Sequence, residues 1–261
     1  MRILVCMVVV LALAVGCGGE EEIKSRARDR EIIVDGKIDD WQGTLTFLED
    51  ANLSYGLAND AIDLYIVLVV GDRGVRRQIM MSGLYLWFDP EGEKGKRFGI
   101  RYPIGLQEDA ASLMSLMSKQ DPGEFQTQFD ESVKEMMVVG IGDQTWRRVG
   151  VAALDGIKAS AVADESKIVL EFVVPVANAG SFGYGIGALP GSIIGLGLET
   201  PEIDRDKLGD QMTGGGRGGK GGGGGGRGRG GMRPSGGQRP EMPDPIEVWA
   251  KVQLATGAIQ P

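Results

Sequence analysis

The chain contains no histidine. That single absence removes Ser–His–Asp and Cys–His catalysis, a histidine general base and histidine-based zinc sites. Cysteine is nearly missing too: Cys6 and Cys17 are the only two. From residue 18 onward there is no thiol, so neither a disulfide framework nor a cysteine metal site can form there. Aromatic residues make up only 6% of the chain, with four tryptophans, so the position of each one is informative. No apolar run reaches the ~20 residues of a membrane-spanning helix. The net charge is −8, yet residues 213–239 hold six Lys or Arg and no acid. The rest of the chain therefore carries −14, the −8 total less those six positive charges. Such an acidic body repels phosphate, which disfavours nucleic acid as a partner.

What is present begins with Met1-Arg2 and an almost unbroken apolar stretch from Ile3 to Val15. One basic residue before a short apolar run has the layout of a secretory signal. The run ends in Leu13-Ala14-Val15-Gly16-Cys17. This resembles the lipobox of bacterial lipoproteins, in which the Cys is acylated and becomes the new N-terminus. The resemblance implies a signal peptide over 1–16, a lipid on Cys17 and a flexible tether over 17–30. Membrane contact through that lipid then follows, and the location is the bacterial cell envelope. Gly18 stands where such proteins carry Asp for inner-membrane retention, which favours the outer membrane over the inner. An ordinary cleaved signal with an accidental Cys fits less well, because Cys17 falls where the apolar run stops.

Beyond the tether, period-2 alternation dominates. Asp63 to Val70 is apolar on both faces, as a central strand covered on both sides should be. Gly83 to Asp89 reads as a second strand and pairs across the Gly- and Lys-rich turn 90–97 with the strand at Phe98 to Ile104. The period changes at Leu106. Ala110, Leu113, Met114 and Met117 fall at helical spacing, as do Phe125, Phe129, Val133 and Met136 or Met137, with Asp121-Pro122-Gly123 between the two groups. This predicts a two-helix insertion over 106–137, whose Met and Phe stripes are ordinary core faces before they are ligand grooves. Strands resume at 137–141, 145–152, 157–163, 167–175, 192–198 and 246–254, with Asp164-Glu165-Ser166 as the turn of the plainest hairpin. In that hairpin Ile168, Leu170, Phe172 and Val174 take one face, and Lys167 and Glu171 the other. Residues 213–239 include 16 glycines among 27, which forbids a core or a regular ladder and reads as a disordered loop. Because a strand follows it, the loop belongs inside one domain spanning 31–257. A loop of that length is tolerable, since closure cost grows only logarithmically. The expected fold is all-β: an antiparallel β-sandwich with a short two-helix insertion and a disordered Gly/Arg-rich loop.

The segment Val34-Asp35-Gly36-Lys37-Ile38-Asp39-Asp40-Trp41, the strand Leu64 to Val70 with Asp72 after it, and Trp87-Phe88-Asp89-Pro90 together resemble family-9 carbohydrate-binding modules over about Glu31 to Gly105. That resemblance implies an antiparallel β-sandwich and, more weakly, sugar binding.

Sugar binding needs aromatic faces to stack on pyranose rings, with polar groups around them. Tyr85 and Trp87 share one face of their strand. Trp249 sits at a polar-parity position of the last strand, where a core tryptophan is unexpected. These three are the candidate ligand-binding residues, Trp146 begins another strand, and Trp41 reads as structural. The competing reading of all of them is core or edge packing. Asp35, Asp39 and Asp40 could chelate calcium, but without an Asp-x-Asp repeat they fit turn and cap roles better, so no metal or cofactor is expected. Asp89, Glu91 and Glu93 offer nearby carboxylates, as surface loops commonly do. The Arg–Gly segment is like those of RNA-binding proteins, but export makes RNA a poor partner, and anionic headgroups suit it better. The expected function is a non-catalytic, envelope-anchored lipoprotein whose sandwich binds a ligand, with a glycan as the sharper form. The alternative is a protein-partner or assembly module of the envelope. A carboxylate-based glycan-active enzyme ranks behind both.

Overall fold

A computed structural model describes residues 22–106, 122–142, 145–177, 184–202 and 244–256, with side chains not described at 122–125. Cys17, the stripe Ala110–Met117 and the Gly/Arg-rich segment lie outside the described residues. Strands dominate: β1 Glu22–Lys24, β2 Arg26–Ala27, β3 Thr46–Leu48, β4 Leu53–Asn59 and β5 Asp63–Val70, then β6 Tyr85–Asp89 and β7 Phe98–Arg101. They continue as β8 Glu135–Val139, β9 Arg147–Gly150, β10 Lys158–Ala163, β11 Ile168–Pro175, β12 Ile193–Glu199 and β13 Glu247–Gln253. Among the described residues two helices join them, α1 Arg73–Ser82 and α2 Pro122–Ser132.

The strands form two sheets. One runs β1-β13-β12-β6-β7-β8-β9; the other runs β10-β11-β5-β4-β2, with β3 also on β4. Alternation packs them together: Leu86 and Phe88 of β6 with Ile194, Leu196 and Leu198 of β12 meet Leu64, Ile66 and Leu68 of β5 and Leu170 and Phe172 of β11 in one core. The all-β sandwich expected from the sequence is the observed class. The sheets are mixed rather than purely antiparallel. β1 pairs in parallel with β13, and β2 in parallel with β4. The tether expected over 17–30 is therefore corrected from Glu22 onward. Within that polar stretch Ile23 packs on the main core and Ser25 is buried, so the segment crosses from one sheet to the other across their open side.

The second sheet has apolar residues on its far side as well. Trp41, Ile32, Ala58, Tyr65, Val67, Val169 and Val173 form a second, smaller core under the segment that precedes β3. Gly56 makes room for Trp41, since a Cβ there would lie 2.7 Å from the indole Cε3. Burying an indole completely contributes on the order of 4 kcal/mol, and Trp41 is fully buried.

Glu171 lies on the face opposite Leu170 and Phe172, as alternation predicts, but the same layer buries it. Its Oε2 accepts the backbone N–H groups of Asp35 and Gly36 at 2.9 and 2.6 Å, and its Oε1 accepts the Trp41 indole N–H at 2.8 Å. Gly36 is in the left-handed region, at φ +78°, as the turn reading of Asp35-Gly36 requires. Asp35 accepts from the Lys37 backbone N–H, and Asp40 from that of Ile33. These are turn roles.

One helix stands where the sequence reading placed none, and the first of the expected pair falls outside the described residues. α1 follows β5: Asp72 caps it by accepting from Val75 N at 2.9 Å, and Val75 and Ile79 enter the core. α2 matches the second expected helix but ends at Ser132. Phe129 is fully buried in the main core, as the packing reading of the stripe requires. Met136 reaches the core from β8, not from a helix. Lys134 N bonds back to Glu131 O, and Ser132 Oγ to Phe129 O, which closes the last turn before the strand begins.

Candidate functional site

The outward face of the first sheet carries the tryptophans that the core does not use. Inward residues of β6 are Leu86 and Phe88, so Tyr85 and Trp87 point the other way. The register extends this to a row. Trp249 of β13 stands opposite Gly197 of β12, and Gly197 opposite Trp87. Trp87 stands opposite Gly99 of β7, and Gly99 opposite Val139 of β8. Continuing the pairing of Val138 with Arg147 by one step puts Trp146 opposite Val139. Along this line Gly197 separates Trp249 from Trp87, and Gly99 and Val139 separate Trp87 from Trp146.

The glycines are steric requirements. A Cβ at Gly99 would lie 2.6 Å from Trp87 Cζ3 and 2.9 Å from Trp146 Cη2, and one at Gly197 would lie 2.8 Å from Trp249 Cε2. The indoles lean over bare backbone, because only glycine leaves that space.

Three rings cluster. Tyr85 and Trp87 are 5.8 Å apart with planes 20° from parallel. Trp146 lies 5.3 Å from each, tilted 53° to Tyr85 and edge-on at 71° to Trp87. Such spacings are those of favourable aromatic pairs. Trp87 forms the floor, at 9% exposure, while Tyr85 and Trp146 are half-buried. Trp249, also half-buried, sits two strands from Trp87 with Gly197 between. Of the three expected ligand residues the fold therefore joins Tyr85 and Trp87 and holds Trp249 apart on the same face. It adds Trp146, whose place depends on the β8–β9 register.

Charged groups border the rings. The Lys96 ammonium lies 5.5 Å above the Trp87 ring and the Arg101 guanidinium 5.1 Å from the Tyr85 ring, within cation–π range. Glu199 of β12 joins them: its Oε2 accepts the Trp87 indole N–H at 2.9 Å and pairs with the Lys96 ammonium. Arg101 is buried and donates from Nη2 to the Ser82 carbonyl at 2.8 Å. The loop 90–97 that carries Lys96 is pinned by Asp89, which is 1% exposed and accepts from Glu91 N and Gly95 N at 3.1 and 2.7 Å. Asp89 is thus a loop anchor, and Glu91 pairs with Arg97 at 3.3 Å. Among the described residues no group of three His, Cys, Asp or Glu could hold a metal ion.

The ends of the Gly/Arg-rich excursion meet beside this face. Thr200 N donates to the Ile246 carbonyl, and Thr200 Oγ1 accepts from Ile246 N at 2.8 Å and from Gln78 Nε2 at 2.6 Å. Glu199 and Glu247, next to those ends, stand opposite each other in the β12–β13 ladder.

No protein-family model matches the chain, and no curated protein matches it. Among solved structures it is similar to a family-9 carbohydrate-binding module from Caldicellulosiruptor kristjanssonii in complex with cellotriose. Identity there is 12% and the TM-score 0.35, over 71% of this chain and 79% of that one. The same module in complex with glucose is 13% identical at a TM-score of 0.35, over 71% and 81%. A protein from Bacteroides uniformis ATCC 8492, with carbohydrate binding as its suggested role, is 10% identical at a TM-score of 0.41, over 93% and 94%.

Proposed function

We propose that this protein is a non-catalytic lipoprotein of the bacterial cell envelope whose β-sandwich binds a carbohydrate at the Tyr85–Trp87–Trp146 cluster. One observation carries the binding half: three aromatic rings within 5.8 Å of one another on the outer face of a sheet, bordered by a carboxylate and two cations. Ring faces suit the C–H faces of a pyranose, while Glu199 can accept and Lys96 donate hydrogen bonds to hydroxyls. The carboxylates near the rings already have partners, Asp89 in its loop and Glu199 with Trp87 and Lys96, which supports binding without catalysis. The anchor half rests on the apolar run ending at Cys17, with Gly18 favouring the outer membrane.

The test is a glycan array probed with the full chain in detergent, beside Trp146→Ala. Selective retention that the variant loses supports the binding site. Retention unchanged in the variant moves the site elsewhere, and no retention by the folded wild type removes the binding function. Metabolic labelling with a fatty acid, compared between wild type and Cys17→Ser, tests the anchor separately.

A further inference from the structure

The chain enters the sandwich at one definite end. β1 runs parallel to β13, with Glu22 opposite Lys251 and Lys24 opposite Gln253. Its N-terminal side is therefore directed at the end where β13 begins, beside Glu199 and Glu247. Cys17 is five residues before Glu22, a reach of about 17 Å in extended chain. A lipid on Cys17 holds this end of the body close to the membrane surface. β3 sits at the same end: Leu48 and Ile23 line one apolar cavity between the sheets, and the turn Glu49–Ala51 after β3 touches β13.

Leu48 points into the main core, so Phe47 points to the far side of the second sheet. The register makes Phe47 the end of a band across that side. It stands opposite Ser54, Ser54 opposite Val69, Val69 opposite Val169 and Val169 opposite Val162. Val169 is buried in the second core, and Ser54 and Val69 are half-buried. Phe47 and Val162, at the two ends, are 56% and 46% exposed, and Leu45, two residues before Phe47, is 36% exposed. A single exposed phenylalanine needs no explanation. At the corner to which the anchor leads, it has an apolar partner within reach. The loops bordering the band lean acidic, since Glu49, Asp50, Asp164 and Glu165 outnumber Lys167 and Arg76. Charge does not draw this side to an anionic surface, so the contact it suits is apolar, under headgroups of no net charge.

We propose that Leu45 and Phe47 are a second membrane contact of this protein: they enter the headgroup boundary of the bilayer that holds Cys17, and the sandwich leans on it with the far side of its second sheet. This rests on the lipid-anchor reading above and adds a docked orientation to it. Tyr85, Trp87 and Trp146 lie on the outer face of the other sheet, so docking turns the aromatic cluster away from the membrane.

The experiment is a depth measurement. Full-chain protein taken from the membrane fraction is reconstituted in phosphatidylcholine vesicles, with or without brominated acyl chains. It carries a maleimide fluorophore at Thr46→Cys, an exposed position beside Phe47, or at Leu189→Cys, next to the start of β12 at the opposite end. Wild type is the control for the anchor: Cys6 leaves with the signal and an acylated Cys17 takes no label. Label on wild type overturns the anchor reading and this one with it. With acylation established, the expected result is bromine quenching of the Thr46 label and none of the Leu189 label. Phe47→Ser then shifts the ratio of docked to free protein about three- to tenfold toward free, the size of half a phenylalanine side chain returned to water. Phe47 is exposed, so this variant leaves the core intact. Both labels unquenched, or quenching of the Thr46 label that Phe47→Ser does not change, overturns the docking proposal and leaves the anchor standing. Energy transfer between Thr46 labels on neighbouring copies, without bromine quenching, assigns the patch to a second copy of the chain and overturns the bilayer as its occupant.

Discussion

The indole N–H of Trp41 meets the carboxylate of Glu171 at 2.8 Å, although 130 residues separate them in sequence. Glu171 accepts two backbone N–H groups as well, so one buried side chain holds the whole segment that covers the second sheet. Glu171→Gln retains the size but replaces an accepting oxygen with an NH2 donor that faces N–H groups. The expected cost is about 2 kcal/mol, because buried donors lose their partners. Trp41→Phe keeps most of the packing and removes one bond, for about 1 kcal/mol beyond the lost volume. Urea denaturation of both variants checks this, and a Glu171→Gln protein as stable as wild type would remove Glu171 from its anchoring role.

Asp63, at the start of β5, is half-buried. Burial, with Asp60 beside it, raises its carboxyl above the ordinary aspartate value despite Arg28 and Lys158. A raised folded-state value means that the proton is held more tightly in the native state. Stability from that proton is complete below the unfolded value and is lost as pH rises through the folded one. At neutral pH the ionised group therefore works against the fold. Asp63→Asn is expected to raise Tm at pH 7 and to lose that advantage near about pH 3, where the carboxyl is protonated in both states. An equal gain at both pH values would assign the effect to something other than ionisation.

Much of the sandwich is legible in the sequence because its strands carry their own pattern. The β10–β11 hairpin needs only alternation and a turn, and Asp164 supplies the turn by accepting from Ser166 N and Lys167 N. Glu171 is not legible, since alternation puts it on the polar face and only the distant segment 32–41 buries it. Helix α1 carries its apolar stripe in Val75, Ile79 and Met80, but Arg73, Gly74, Arg76 and Arg77 dilute it in the first half and the stripe is short; its other local signs are the cap at Asp72 and the positive-φ stop at Gly83. Tyr85 and Trp87 are readable as a pair from spacing on one strand. Trp146 joins them through two strand registers, and register is a property of the assembled sheet rather than of any short segment.

Lys96 covers the ring of Trp87 and is held there by Glu199. Exposed ion pairs contribute only about 0–1 kcal/mol, so removing this one should change access more than stability. Lys96→Ala is expected to leave Tm within about 2 °C of wild type and to increase acrylamide quenching of tryptophan fluorescence. Unchanged quenching would mean that Trp146 and Tyr85, not Lys96, shield the indole.

Gly99 and Gly150 lie on neighbouring parts of the same sheet and differ in what a methyl group would meet. At Gly99 a Cβ comes 2.6 Å from Trp87 and 2.9 Å from Trp146, whereas at Gly150 the nearest neighbour is Ala153 Cβ at 4.0 Å. Gly99→Ala must push both indoles off the backbone, because neither ring can yield without losing the other as a neighbour. The expected cost is about 1–3 kcal/mol of overpacking, with a shifted tryptophan emission maximum and weaker carbohydrate retention. Gly150→Ala should leave emission and retention unchanged, and its lower backbone entropy in the unfolded chain offsets part of any cost at that site. The comparison separates a lost ring arrangement from a general intolerance of the sheet to side chains: a loss of emission and retention in both variants would assign the effect to the sheet, and a loss in Gly99→Ala alone assigns it to the seating of Trp87 and Trp146.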